Sequence, residues 1–431
     1  MFRAFQWSTD IIGRQMLSAI VELPLHRIPA IDKHQDAKKC ALAKHVCGHL
    51  ALLVFLAFLF AECAVCQPTV SSALPGITPA NAGTHQTRRR NPFYWGTNAV
   101  LYDDQDVELI GSLGKPGKIG ARITFYWSDI EPTQGNWQFT VYDDLVKRAA
   151  SAQIPLLGVL AYAMKRVASA AGSTSGAPWA LSFCPPDEVE QFATFAGMVA
   201  ARYPQVLDWE IWNEPNTAYF WRPSPDPSAY VELLRRSYAA VKAANPNARV
   251  AIGGMSPGNG NSQVNTMSAA SFLESVYQNG GKDYFDAVAF HPYNDGVSPD
   301  LYLEDYMNSV HDVMTEYGDG SKRVWVTEIG WFVGAQANGV SQAEQADYLS
   351  RASTRLYNLE FVDHFYWYNL KDYADSTVAV TPSPASVCGP AIDNPVDYGI
   401  FRFDGSPRPA ADAFKNGATY VSPPGRHPRR Q

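Results

Sequence analysis

Two glutamates end short apolar runs, each beside a tryptophan. Glu214 closes LDWEIWNEPN (residues 207–216), and Glu328 lies in VWVTEIGW (324–331). A carboxylate at the mouth of a buried strand is unfavourable without a partner. For one such residue a salt bridge is explanation enough. Two of them, about a hundred residues apart in the chain, are what cleavage of a glycosidic bond requires. One carboxyl protonates the leaving oxygen while the other attacks or stabilises the anomeric carbon.

Such a pair needs a scaffold that brings strand ends together. Leu207, Trp209, Ile211 and Trp212 form a β-favouring run between Pro204 and Pro215, which suits a parallel strand covered on both faces. Eight runs read as strands: 94–99, 121–127, 155–162, 207–214, 249–255, 287–293, 324–330 and 364–369. Helical segments fall between them, among them 188–202, 229–244 with an Asp226-Pro227 start, and 342–359, which Ser341 and Glu344 open at capping-box spacing. This alternation predicts an α/β fold, a (β/α)8 TIM barrel, with Glu214 ending strand four and Glu328 ending strand seven. Barrel sites are built where the strands end. Arg122 and Trp127, His291-Pro292-Tyr293 and Trp367-Tyr368-Asn369 fall at such ends, and the long stretches 163–187 and 371–396 would wall a cleft.

At 431 residues the chain exceeds a typical domain, but α/β barrels commonly reach about 250 residues or more as one unit. The hydrophobic share of 46% is ample for such a core, and the aromatic share of 13% leaves rings over for stacking on sugars. Residues 1–90 carry a net charge of +5 and residues 91–431 one of −12. With an acidic body, no basic stripe, no zinc-finger spacing and no phosphate-cradling glycine loop, nucleic acid and nucleotides are not expected partners.

Ahead of the barrel the chain is organised differently. The run LALLVFLAFLF (50–60) follows Lys38, Lys39 and Lys44 and precedes the small-residue stretch 61–66. It is shorter than a membrane span of about 20 residues and fits a signal-peptide core of roughly 7–15. We therefore expect an exported protein: secreted, periplasmic, or membrane-anchored facing outside. Residues 1–49 read as a leader or short cytoplasmic tail with a doubtful start, 50–66 as signal-peptide core or signal anchor, 67–90 as disordered linker, 91–420 as the catalytic barrel and 421–431 as a loose tail. Of six cysteines only Cys184 and Cys388 lie in the barrel, where they either pair or remain independent thiols.

The residues 122–139 (RITFYWSDIEPTQGNWQF), 209–216 (WEIWNEPN), 290–293 (FHPY) and 327–331 (TEIGW) give the body a resemblance to the retaining glycoside hydrolases of clan A. It is most similar to family 39 and its bacterial endoglycosidase relatives, with family 5 as second choice. The resemblance implies that Glu214 is the acid/base and Glu328 the nucleophile. It implies Asn213 as donor to the sugar 2-hydroxyl and His291 as a group that binds substrate or orients Glu214; Arg122 and Tyr293 are expected to line the substrate site and to keep Glu328 ionised by hydrogen bonds. Trp367 would floor the cleavage site, and Trp127 and Trp331 would stack on sugars or pack in the core. The expected substrate is an oligo- or polysaccharide, cut by a monomer without a cofactor. An exo-acting β-xylosidase-like enzyme on small glycosides and a non-catalytic polysaccharide-binding barrel are the alternatives. No metal is expected: the histidines include no HExxH, and Asp103-Asp104-Gln105-Asp106 lacks the later Gly and Glu of a calcium loop.

Overall fold

The chain divides into two units, Met1–His85 and Gln86–Gln431. The computed structural model describes residues 93–163, 185–186, 188–258, 266–294, 296–373 and 397–421, all in the second unit. The expectations about the leader, the linker, the Cys184 and Cys388 thiols and most of the two cleft-walling loops lie outside the described residues. Among those described, no helix is long and apolar enough to cross a membrane.

Eight parallel strands close into a barrel in sequence order: β1 Tyr94–Asn98, β2 Ile119–Tyr126, β3 Leu156–Ala161, β4 Asp208–Asn213, β5 Arg249–Met255, β6 Ala287–Phe290, β7 Arg323–Ile329 and β8 Val362–Trp367. Around them run α1 Asp104–Leu113, α2 Trp127–Ile130, α3 Thr140–Ser151, α4 Val189–Arg202, α5 Pro227–Ala244, α6 Ala269–Gln278, α7 Leu303–Glu316, α8 Gln342–Asn358 and α9 Pro409–Val421. The strands are buried almost throughout because the helices cover their outer faces.

Local chemistry sets the helix starts. Asp226 caps α5 through Ala229 N with Pro227 in the first turn, and Ser341 and Glu344 complete the reciprocal capping box of α8. Asp103, read above as the start of an incomplete calcium loop, is instead the N-cap of α1, accepting from Asp106 N. The β6 strand stops at Phe290 rather than at 293, since Pro292 has no N–H for a ladder.

Large aromatics fill the layer between sheet and helices. Trp127 packs on Phe192 and Phe195 of α4, and Trp95 on Phe365 of β8 and Phe414 of α9. Truncating one such ring to alanine costs about 3–5 kcal/mol. Inside the barrel, near the strand starts, Arg249 grips Asp208 at 2.7 and 2.8 Å, and buried His364 sits 2.6 Å from Asp363 and 3.5 Å from Asp208.

Candidate active site

The site forms at the C-terminal ends of the strands, around Arg122 of β2. Its guanidinium is 5% exposed and all five of its N–H bonds are used. Nε and Nη2 donate to Glu210 (3.3 and 2.8 Å), Nη1 to Asn98 (2.9 Å) and Glu328 (2.5 Å), and Nη2 also to Asn213 (2.9 Å). Burial works against the charge, but the Glu210 and Glu328 carboxylates raise the Arg122 pKa above its ordinary value.

Two departures from regular strand geometry bring these groups together. In β4, Trp212 has a φ of 72°, which breaks the two-residue alternation: its ring packs outward on Phe192 and Trp221, while Glu210 and Asn213 both meet Arg122 inside. Glu214, at φ 42°, is also left-handed, and its N–H is held by Gly254 O at 2.9 Å. Left-handed non-glycine residues persist where the surroundings over-determine them. In β7, the pairing with β8 slips between Val326 and Ile329, the segment that carries Thr327 and Glu328.

Glu328 takes two donors, Arg122 on Oε1 and the Tyr293 hydroxyl on Oε2 at 3.0 Å. Glu214 Oε1 lies 3.0 Å from His291 Nδ1, whose ring is buried and reaches Thr327 Oγ1 through Nε2 at 3.1 Å. One oxygen of Glu214, one of Glu328 and a His291 nitrogen all lie within 4.8 Å of one another. Three such ligand atoms could approach a cation, but both Glu328 oxygens already accept from Arg122 and Tyr293, and the guanidinium sets a positive charge beside them. The donor set fits a hydrogen-bonded pair of carboxyls better than a metal centre.

The electrostatics separate the two glutamates. Burial, reinforced by the Glu328 charge, pushes Glu214 up to about 8. Burial also pushes Glu328 above the usual carboxylate range, with Arg122 and the Tyr293 hydroxyl pulling it back. The proton therefore resides on Glu214 and the negative charge on Glu328. His291 is held well below its ordinary value by burial and by the Arg122 charge, so its imidazole is neutral.

Several expectations change. Arg122 has no N–H left for a sugar and acts as the hub of the site. His291 is completely buried with both nitrogens committed, which leaves it the Glu214 contact and not a substrate contact. Trp127, Trp331 and Trp367 are each no more than 1% exposed, and their indole N–H groups are taken by Glu131, Val297 O and Tyr398 O. They pack in the core and present no open ring to a sugar. Asn213 is 9% exposed and its Oδ1 accepts from Arg122 Nη2; among the described residues its Nδ2 meets no protein acceptor, which leaves a donor beside Glu214.

Glu210, Asn98, Thr327 and Tyr162 escape the sequence reading. Glu210 had a signal: a charged residue in mid-strand within an otherwise apolar run demands a counter-ion, and Arg122 in β2 is its counterpart. Asn98 and Thr327 are ordinary polar residues whose role emerges only once the barrel closes, when Asn98 Nδ2 donates to Thr327 O at 3.0 Å and so ties β1 to β7.

A closed parallel barrel that holds a buried carboxyl pair at its strand ends provides the two groups that cleavage of a glycosidic bond requires. Residues 210–382 match the glycosyl hydrolase catalytic core family. Among solved structures it is similar to a family 39 glycoside hydrolase from the gut symbiont Bacteroides cellulosilyticus, at 23% identity over 78% of this chain and 64% of that one, with a TM-score of 0.58. A monomeric β-xylosidase from Caulobacter crescentus shares 16% identity over 76% of this chain and 69% of its own, with a TM-score of 0.54. A family 5 enzyme of subfamily 18 from Streptomyces cattleya, solved with GlcNAc, shares 16% identity over 79% and 83%, with a TM-score of 0.56. No curated protein sequence matches the chain.

Proposed function

We propose that this protein is a retaining β-glycosidase acting on an oligo- or polysaccharide, with Glu214 as acid/base and Glu328 as nucleophile. The observation that carries the reading is the approach of the two carboxyls to within 4.8 Å. Retaining enzymes hold the pair about 5–5.5 Å apart, whereas inverting enzymes leave roughly 6.5–9.5 Å for a water.

In the first step Glu328 bonds to the anomeric carbon as the glycosidic C–O bond breaks, and the leaving oxygen takes the Glu214 proton. In the second, water attacks that carbon, Glu214 accepts its proton and the bond to Glu328 breaks. Each step returns the two groups to the state the other requires. Asn213 Nδ2 serves the sugar hydroxyl next to the reacting carbon. The neighbouring β-xylosidase makes xylosides the first substrates to try.

The test is a screen of aryl β-glycosides and polysaccharides with product anomers followed by NMR. Retained configuration, lost with Glu328→Gln, is expected; an inverted first product would refute the mechanism. Export through residues 50–66 is part of the same proposal, supported by the basic, apolar, small-residue order of the leader. N-terminal sequencing of the mature protein tests it, and an intact Met1 terminus on cytosolic protein would overturn it.

A further inference from the structure

Glu210 is fully buried and, among the described residues, takes its hydrogen bonds from Arg122, which it meets through both oxygens. Arg122 in turn meets Glu328, so two carboxylates share one buried guanidinium. Buried charges in such numbers are unfavourable unless each has a counter-charge throughout the working cycle. Glu328, the proposed nucleophile, does not keep its charge: as the glycosyl ester it is neutral. At that stage a guanidinium paired with Glu328 alone would be an unmatched buried cation.

We infer that Glu210 is a positioning residue: the permanent counter-ion of Arg122, it keeps the guanidinium matched while Glu328 alternates between carboxylate and ester, and it weakens the hold of Arg122 on the attacking oxygen. This rests on the assignment of Glu328 as nucleophile. The groups facing Glu328 are Arg122 from β2, Glu210 and Glu214 from β4 and its end, His291 and Tyr293 beyond β6, Tyr162 beyond β3 and Tyr368 beyond β8. With Glu214 protonated, the imidazole neutral and the phenols un-ionised, Arg122 and Glu210 are the charges that act on it. The Glu210 charge is one of the causes that raise Glu328.

The sign of the effect follows. Removing the Glu210 charge leaves Arg122 wholly to Glu328, stabilises that carboxylate and lowers the pH at which it titrates. The experiment is a pH titration of 13C-carboxyl-labelled glutamates by NMR in the full chain, with Glu214→Gln and Glu328→Gln used to assign the two signals. In Glu210→Gln the Glu328 titration is expected to fall by about one pH unit while the Glu214 step near pH 8 stays in place. A merely structural Glu210 would lower the melting temperature and leave the Glu328 titration where it was, and that result overturns the inference. If Glu210→Gln does not fold, Glu210→Asp carries the test, since it retracts the charge without deleting it. A smaller downward shift supports the inference, and none overturns it. Hydrolysis surviving in Glu328→Gln would remove the nucleophile assignment and this inference with it; an unmoved titration alongside an inactive Glu328→Gln overturns this inference alone.

Discussion

Glu214 Oε1 and His291 Nδ1 lie 3.0 Å apart, and neither group is charged at neutral pH. Burial and the Glu328 charge hold the carboxyl protonated up to about 8, while burial and Arg122 keep the imidazole neutral. With the single imidazole proton on Nδ1 and Nε2 accepting from the Thr327 hydroxyl, Nδ1–H can donate to Oε1 in both halves of the reaction, which leaves the other carboxyl oxygen to give and take the proton.

The first prediction concerns the basic limb of the pH–rate profile. Because Glu214 must carry its proton, kcat/KM should fall as pH rises through about 8. Glu214→Ala should lower the rate about 10²–10⁴-fold on poor leaving groups. On a 2,4-dinitrophenyl glycoside, whose leaving group needs no proton, the first step should be nearly unaffected and the basic limb absent. A limb that persists in Glu214→Ala with that substrate would assign it to another group.

Tyr293 bears on the acidic limb. Its hydroxyl donates to Glu328 Oε2 at 3.0 Å and is one of the donors that hold the carboxylate down. A hydrogen bond to a charged group is worth about 1.5–3 kcal/mol. Tyr293→Phe should therefore raise the acidic limb and lower kcat roughly 10- to 100-fold, since 1.4 kcal/mol is tenfold in rate. An unmoved acidic limb would mean that the phenol does not tune Glu328.

Much of this is legible in the amino-acid sequence. Alternating apolar runs and helical segments gave the barrel, because burial of strands on both faces leaves a strong pattern in β4, β5 and β7. Glu214 and Glu328 announced themselves as charges where apolar residues belong. The same logic applied to Glu210, but a two-residue alternation across WEIWNE puts Trp212 on the same face as Glu210 and Glu214. The left-handed Trp212 that defeats this alternation is not written in residue type. Tryptophans misled in the opposite sense: a ring near a strand end suits stacking on a sugar and packing under a helix equally, and Trp127, Trp331 and Trp367 turn to the core. Side chains that join distant strands, such as Asn98 to Thr327, depend on closure of the barrel.

Gly254 in β5 supplies the space that His291 occupies. A Cβ at this position would lie 2.1 Å from His291 Nε2, far inside contact distance, and the ring is fully buried and pinned at both nitrogens. Overpacking of this kind costs about 1–3 kcal/mol. Gly254→Ala should lower the melting temperature and displace His291 from Glu214, so that the basic limb moves along with a loss of kcat. Wild-type stability and an unchanged profile would show that the barrel gives way more easily than its packing implies.

The last prediction lies at the opposite end of the barrel, away from the chemistry. Burial opposes protonation of His364, but the Asp208 carboxylate 3.5 Å away and the hydrogen bond to Asp363 outweigh it and raise its pKa above the ordinary value. The folded pKa is therefore higher than the unfolded one of about 6.5. Its contribution to stability is fully present below about 6.5 and is lost as pH rises through the folded value. Asp208, held low by His364 and Arg249 against its own burial, contributes only above the unfolded carboxylate range and is constant in this window. Glu214, raised to about 8, has the opposite slope to an ordinary acid, and is common to both proteins when wild type is compared with His364→Gln. The melting-temperature advantage of wild type over His364→Gln should accordingly be largest near about pH 5.5 and shrink toward about pH 9. A constant difference across that range would mean that His364 is neutral between its two aspartates and acts by packing alone, against Tyr94 at 4.7 Å and Trp325 at 4.5 Å between ring centres.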